Sequence, residues 1–169
     1  RYFDSRYDQV SLNNVGFTLE GSVGQVSGRT TLMFGSILEA FPPSENPANE
    51  RLWKVLAEAN VAWRASVFGE DHPLTLEAGL FVTPFGPENF AVHDNWSWSP
   101  SNIFSILPFQ LTGARLGLRV LPTLTVRGGI YSGWDQVLQD RNGFRTGLFS
   151  LECDRGELGY AGLSYMVGV

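Results

Sequence analysis

Six charged residues stand at positions where they would share one face of β-strands: Glu58, Arg64, Glu77, Arg115, Arg119 and Arg127. Within a strand they recur at even spacing, and successive side chains of a strand point to opposite faces. Charges of both signs on neighbouring strands can form ion pairs that brace a wall. They can also shape the electrostatic field that a permeating solute meets. Both roles stay open, and we treat the six as candidate pore-lining residues.

Residues suited to catalysis or metal binding are sparse. The two histidines, His72 and His93, lie outside any metal-ligand spacing, and the single cysteine, Cys153, excludes an internal disulfide. The chain has no nucleophile elbow, phosphate-binding loop or dinucleotide fingerprint. A weak cation site formed by His93, Asp94 and Glu88 is the one alternative. We therefore expect no enzyme, no catalytic or metal-ligating residue and no cofactor.

The composition argues against a nucleic-acid partner. Charged residues make up 17% of the chain, the net charge is −5, and Lys54 is the only lysine. A protein that neutralises phosphates needs a basic patch, and the sequence holds no such cluster. The 19 glycines and 13% aromatic residues are typical of a strand-rich protein with tight turns.

Strict alternation of apolar and polar residues predicts eight strands: Ser11–Val23, Arg29–Leu38, Trp53–Val67, Leu74–Thr83, Gln110–Val120, Thr123–Tyr131, Arg145–Cys153 and Leu158–Gly168. The alanine-rich middle of the third could form a helix, but its polar residues recur every two positions, which favours a strand. These strands are longer than the 5–6 residues common in soluble proteins and match the ~9–11 of a tilted membrane-spanning strand.

The connections alternate between short and long. Short turns are predicted at residues 24–25, 69–71, 121–122 and 154–156, and long loops at residues 39–52, 84–109 and 132–144. This alternation is typical of an antiparallel, up-and-down transmembrane β-barrel of the outer membrane. Both outermost strands would then meet the long-loop end, whereas bacterial barrels usually keep both termini on the periplasmic side. We therefore expect residues 1–169 to form one incomplete barrel domain, with strands missing at both ends of a parent barrel of about 10 strands or more.

The loop over residues 84–109 is far longer than most connections and rich in aromatic residues. We expect it to fold inward or over the barrel mouth and to narrow or plug the lumen. A packed cap outside the barrel, or a contact with another chain, is the alternative. The candidate mouth residues are Phe85, Glu88, Asn95, Trp96, Trp98, Trp134 and Asp135.

Four motifs carry a resemblance to a known family: Thr83-Pro-Phe-Gly-Pro-Glu88, Asn95-Trp96, Thr112-Gly-Ala-Arg115 and Ser132-Gly-Trp-Asp135. In this order they resemble the OmpL-like family, or β-barrel porin-2, of Gram-negative outer membranes. The family often has Asn at the position of Ser132. The resemblance implies location in the cell outer membrane and a barrel architecture, and it assigns no role to individual residues.

Three functions follow as hypotheses. The first is a porin-like protein that lets small solutes diffuse passively through a narrow lumen. The second is a non-conducting barrel that anchors or scaffolds an assembly at the cell surface. The third is a soluble β-sandwich that acts as a binding module. For the first two, the expected partners are the lipid bilayer of the outer membrane, small solutes, and proteins that contact the long-loop side.

Overall fold

The computed structural model describes residues 12–39, 50–83, 85, 88, 95, 97, 101–102, 104, 107–133, 135 and 145–168. Its elements, in chain order, are β1 (Val15–Val23), β2 (Val26–Phe34), α1 (Glu50–Val55), β3 (Leu56–Ala65), β4 (Leu74–Val82), β5 (Gln110–Leu121), β6 (Leu124–Tyr131), β7 (Thr146–Asp154) and β8 (Tyr160–Val167). Two short 3-10 turns, Ser36–Glu39 and Gly156–Leu158, complete the described secondary structure. In the described part of the chain, no helix has the length and apolar character needed to cross a membrane.

The strands form one antiparallel sheet in which each strand pairs with its neighbours in sequence, in the order β1 to β8. The predicted all-β, up-and-down architecture is therefore confirmed. Among the described strands β1 and β8 lie at opposite edges and do not pair with each other, so the sheet is open. The sheet is a single layer, whereas a soluble β-sandwich packs two sheets face to face.

Several predicted strand ends are wrong. β1 begins at Val15 rather than Ser11, and β8 begins at Tyr160 rather than Leu158, which lies in a 3-10 turn. β2 begins at Val26 and ends at Phe34 instead of spanning Arg29–Leu38. Gly35 interrupts it with a φ of +120°, and a Cβ there would lie 2.5 Å from the carbonyl oxygen of Asn13. β3 does not begin at Trp53, which lies in α1, because pairing with β2 ends at Leu56 and leaves the earlier residues no ladder to join.

The two faces of the sheet differ in chemistry, and we call them the apolar face and the charged face. Large side chains of the apolar face are exposed, as Leu19 (77%), Val61 (56%), Leu116 (46%) and Leu163 (69%) show. Acidic and arginine side chains point from the opposite face, because they occupy the alternate positions of the same strands. Within the described residues, the apolar face is thus largely uncovered, although Leu80 near the mouth end of β4 is only 5% exposed.

Buried packing lies toward one end of the sheet, which we call the mouth end because the longer connections β2–β3, β4–β5 and β6–β7 are there. Met33, Ile37, Ala57, Phe104 and Phe109 form a buried group, which we call the mouth cluster. By strand alternation, Met33 shares the side of Arg29 and Thr31, and Phe109 shares that of Leu111 and Arg115. Met33, Phe109 and the Phe104 ring that packs on Phe109 therefore lie on the charged face, whereas Ala57 lies at the register shift between β2 and β3.

The position of Phe109 corrects one expectation from the sequence. Its place at the end of a strand predicts a lipid-facing ring in an aromatic girdle. The structure instead buries Phe109 (5% exposed) in the mouth cluster, where its ring meets that of Phe104 edge to face at 5.7 Å. Phe109 lies an even number of residues before Arg115, which places it on the charged face. The predicted strand begins only at Gln110, so the sequence pattern does not show this relation.

A second buried group, the Tyr131 cluster, lies beside it on the same face and contains Phe81, Leu111, Tyr131 and Leu148. The Phe81 and Tyr131 rings meet edge to face at 6.2 Å. Gly129 makes room for this ring, because a Cβ there would lie 2.8 Å from Tyr131 and 2.9 Å from the Cβ of Arg115. The mouth end of the charged face is thus apolar and filled. The opposite end, which we call the turn end because short turns join the strands there, is polar.

Candidate functional site

Ion pairs cross the charged face from strand to strand. Arg29 on β2 bridges two carboxylates, since Nη1 donates to Glu20 on β1 and Nε donates to Glu58 on β3 at 2.8 Å. Glu58 also accepts hydrogen bonds from Asn60 Nδ2 at 2.9 Å and from the Thr31 hydroxyl at 3.4 Å. These contacts tie three consecutive strands together and disperse the charge of Glu58 over several donors.

The most enclosed pair joins β4 to β5. Arg115 donates from Nε to Glu77 Oε2 at 2.7 Å and from Nη2 to Oε1 at 3.1 Å, a two-pronged contact. The guanidinium carbon also lies 4.3 Å from the centre of the Phe81 ring. Both charged side chains are mostly buried, with exposures of 17% and 16%. Planar stacking and paired hydrogen bonds suit arginine and would be lost with lysine.

A third pair joins β6 to β7, where Arg127 Nη1 lies 2.9 Å from Glu152 Oε2. The hydroxyl of Ser150 donates to Glu152 Oε1 at 3.1 Å. Four of the six candidate pore-lining residues, Glu58, Glu77, Arg115 and Arg127, are therefore held in cross-strand ion pairs. Such pairs give the wall a bracing role, one of the two roles the sequence left open.

The other two candidates, Arg64 and Arg119, differ. Within the described residues neither guanidinium has a carboxylate within 4 Å. Arg119 is exposed near the turn end, where its carbonyl oxygen lies 3.1 Å from His72 Nδ1. Arg64 lines an open concavity of about 470 Å³ on the charged face, at the level of β1 to β4. The structure therefore separates braced charges from two arginines that are available to other groups.

The mouth-loop candidates occupy different environments. Phe85 packs against the Tyr131 cluster, and its backbone N–H donates to the Thr83 hydroxyl at 3.2 Å. Glu88 accepts hydrogen bonds from the backbone N–H of Ser101, at 2.7 Å, and from its hydroxyl. Asn95 is half-buried. Trp96, Trp98 and Trp134 lie outside the described residues, as does His93 of the alternative cation site.

Asp135 connects two of the long loops. Its Oδ1 accepts the backbone N–H groups of Phe109 and Gln110, the latter at 3.1 Å, at the point where β5 begins. It adopts a φ of +51°, a left-handed conformation that Asp tolerates better than most residues. Burial raises the pKa of Asp135, and the two backbone hydrogen bonds oppose this shift. Asp135 thus holds the backbone of Phe109 and Gln110 at the start of β5.

Sequence reasoning missed Gln110 and Phe81 as parts of the site. Gln110 Nε2 donates to the carbonyl oxygens of Leu56 and Ala57, at 2.7 and 3.0 Å, and so links β5 to the start of β3 beyond the end of β4. Phe81 lies on the charged face, because it is four residues after Glu77 in the same strand and therefore points to the same side. The uninterrupted apolar run Leu80-Phe81-Val82 was the available signal that this face becomes apolar near the mouth.

In the described part of the chain, no three His, Cys, Asp or Glu side chains come together as a group that could hold a metal ion. Cys153 is a half-buried free thiol on the opposite side of β7 from Glu152.

A single up-and-down sheet with an exposed apolar face and a braced, charged face defines a β-barrel porin-like protein. The chain belongs to the family described as "Putative beta-barrel porin-2, OmpL-like", whose model matches residues 1–167. The resemblance in the sequence motifs is thereby confirmed, and it extends over nearly the whole chain. No curated protein matches the chain, and no solved structure matches it.

Proposed function

We propose that this chain forms part of an outer-membrane barrel that lets small polar solutes diffuse passively along its charged face. The observation that carries the proposal is that the apolar face is exposed while the charged face is crossed by ion pairs. In water, a face with residues such as Leu19 and Leu163 more than two-thirds exposed would be unfavourable. In a bilayer, the same face meets lipid tails and the charged face lines the lumen. This function involves no catalysis.

The strand lengths support a membrane location. The strands contain 8 to 12 residues, from β6 and β8 to β5. These lengths bracket the ~9–11 residues of a tilted strand that crosses a bilayer, and the apolar band of outer-membrane barrels is about 25 Å tall. The open edges of β1 and β8 would expose unpaired backbone groups to lipid, which a bilayer does not tolerate. Further strands, giving a barrel of about 10 or more, would satisfy them.

The mouth cluster favours a second candidate, a non-conducting barrel that anchors a surface assembly. Phe104 and Phe109 are almost fully buried on the charged face at the end where the long loops lie. A wider barrel leaves room for solutes beside such a cluster, whereas a narrow one is closed by it. Conductance separates these candidates, because only the first allows ion flow.

The test uses the full-length protein, purified in detergent and inserted into planar lipid bilayers. Stepwise single-channel conductance, together with gel migration that changes on heating, is the expected result. A folded, membrane-inserted protein without conductance would overturn the diffusion pore and leave the anchoring barrel. A protein that stays monomeric and folded without detergent would overturn both.

A substitution on the apolar face tests the orientation of the sheet. Leu116 lies near the middle of β5 and is 46% exposed on the apolar face. We expect Leu116→Arg to reduce the free energy of unfolding in phospholipid vesicles by about 2–4 kcal/mol, because an arginine at the bilayer midplane faces lipid. Urea unfolding followed by tryptophan fluorescence measures the change. Leu116→Met is the control, with an expected cost below about 1.5 kcal/mol; equal effects of the two variants would argue against a lipid-facing position.

A further inference from the structure

The concavity on the charged face has a mixed polar lining. Four charged side chains line it, namely Glu20, Arg29, Arg64 and Glu77, together with the amide of Asn60 and the hydroxyls of Ser22, Ser27 and Thr75. Ser22 and Ser27 are direct cross-strand partners on β1 and β2, and Arg64 and Thr75 are partners on β3 and β4. The polar groups thus lie on four adjacent strands that form one continuous surface.

Charge compensation within this surface is unequal. Glu20 is held by Arg29, and Glu77 by the two-pronged contact with Arg115. Arg64 has no carboxylate partner within 4 Å among the described residues. The carboxylates that line the concavity already accept guanidinium hydrogen bonds, although Glu20 shares Arg29 with Glu58. Among the charged side chains that line the concavity, Arg64 is the one without an ion-pair partner in the described residues.

The backbone that carries Arg64 is firmly held. The Arg64 N–H donates to the carbonyl oxygen of Gln25 at 2.8 Å, which extends the pairing between β2 and β3 into the turn. The adjacent Trp63 donates from Nε1 to Gln25 Oε1 at 3.2 Å. A side chain presented from a fixed backbone loses less freedom when it binds a ligand.

We propose that Arg64 forms the centre of an oxyanion-binding site, which takes the carboxylate or phosphate group of a permeating solute. A guanidinium matches both groups with two parallel hydrogen bonds. Ser27 on the neighbouring strand β2 and Ser22 on β1 line the same concavity and supply neutral donors. In the proposed pore, this site would favour solutes that carry an anionic oxygen group. Its role in selectivity rests on the proposed function.

The test measures binding directly, in the full-length protein in detergent micelles, by titration calorimetry at low ionic strength. Inorganic phosphate and acetate are titrated separately, so that the two arms distinguish a phosphate site from a carboxylate site. We expect saturable binding of at least one of them. Arg64→Gln should weaken it about tenfold or more, the usual effect of losing a charged hydrogen-bond partner.

Arg155→Gln is the matched control, because it removes the same charge from an exposed position in the β7–β8 turn, outside the concavity. Its affinity should equal that of the unmodified protein. If Arg64→Gln does not fold, as judged by heat-modified migration, Arg64→Lys replaces it, with an expected loss of about threefold because the charge stays and the planar fork is lost.

The absence of saturable binding of either anion, or equal affinities of the Arg64 and Arg155 variants, would overturn the site. Binding in micelles does not depend on ion flow. A protein that binds anions without conducting therefore contradicts only the diffusion pore, and one that conducts without binding contradicts only the oxyanion site.

Discussion

Replacement of Arg115 by methionine is expected to reduce the free energy of unfolding by about 3 kcal/mol, because it leaves the mostly buried carboxylate of Glu77 without its partner. Arg115 makes two hydrogen bonds to Glu77 and stacks on Phe81, and its side chain is only 17% exposed. Glu77→Gln should cost less, since the amide oxygen still accepts one hydrogen bond. Urea unfolding in phospholipid vesicles, followed by tryptophan fluorescence, measures both changes.

The double variant Glu77→Gln/Arg115→Met makes this a thermodynamic cycle. It should be more stable than the sum of the single changes predicts, because no charge is left unpaired. Glu20→Gln is the matched control. Glu20 also pairs with an arginine of the neighbouring strand, but the side chains of Glu20 and Arg29 are 59% and 50% exposed. Exposed pairs typically contribute less than about 1 kcal/mol. Similar losses at Arg115 and Glu20, or strictly additive changes, would show that burial does not set the strength of these pairs.

Removal of the Phe104 ring is expected to have an effect of similar size at the mouth. Phe104 is 2% exposed and packs with Phe109 and Met33 on the charged face. Phe104→Ala should reduce the stability of the mouth packing by about 3 kcal/mol or more, from lost burial and the cavity that remains. Because the ring lies on the side that lines the proposed lumen, single-channel conductance should rise.

Phe17→Ala provides the comparison for this second effect. Phe17 is also aromatic and contacts another ring, that of Phe34 at 6.1 Å, but it is 63% exposed on the apolar face. Its loss should leave conductance unchanged, because the apolar face does not meet the permeating solute in this arrangement. Unchanged conductance in Phe104→Ala, with folding intact, would place the mouth cluster outside the path of ions.

The ion pairs and the mouth cluster divide the charged face into two parts with different physical properties. Toward the turn end, the face carries fixed charges and free hydroxyls around Arg64. Toward the mouth end, Phe81, Leu111 and Tyr131 make it apolar. In the proposed pore, a solute would meet a polar region and an apolar region in succession. Asp135 holds the backbone of Phe109 and Gln110 at the apolar end.

Much of the fold was predictable because the signal is local. The alternation Leu74, Leu76, Ala78 against Thr75 and Glu77 indicates a strand with two unlike faces, and β4 begins at Leu74 as predicted. The predicted start of the third strand at Trp53 was wrong, because Trp53 lies beyond Leu56, the last residue of β3 that pairs with β2. Where a strand stops pairing depends on its partner strand as well as on its own sequence. The burial of Phe109 was mispredicted for a related reason, since its contacts come from other segments.

The residue pattern alone predicts the class of the protein, because it shows long strands with one apolar and one charged face and alternating short and long connections. These features arise from a two-residue period and from turn residues, which neighbouring positions specify. The pairing of the charges, in contrast, depends on how distant strands align. Arg115 and Glu77 are 38 positions apart, and the register between β4 and β5 brings them together, whereas the same register rules leave Arg64 opposite Thr75. Register is a property of two strands, so no single stretch of sequence contains it.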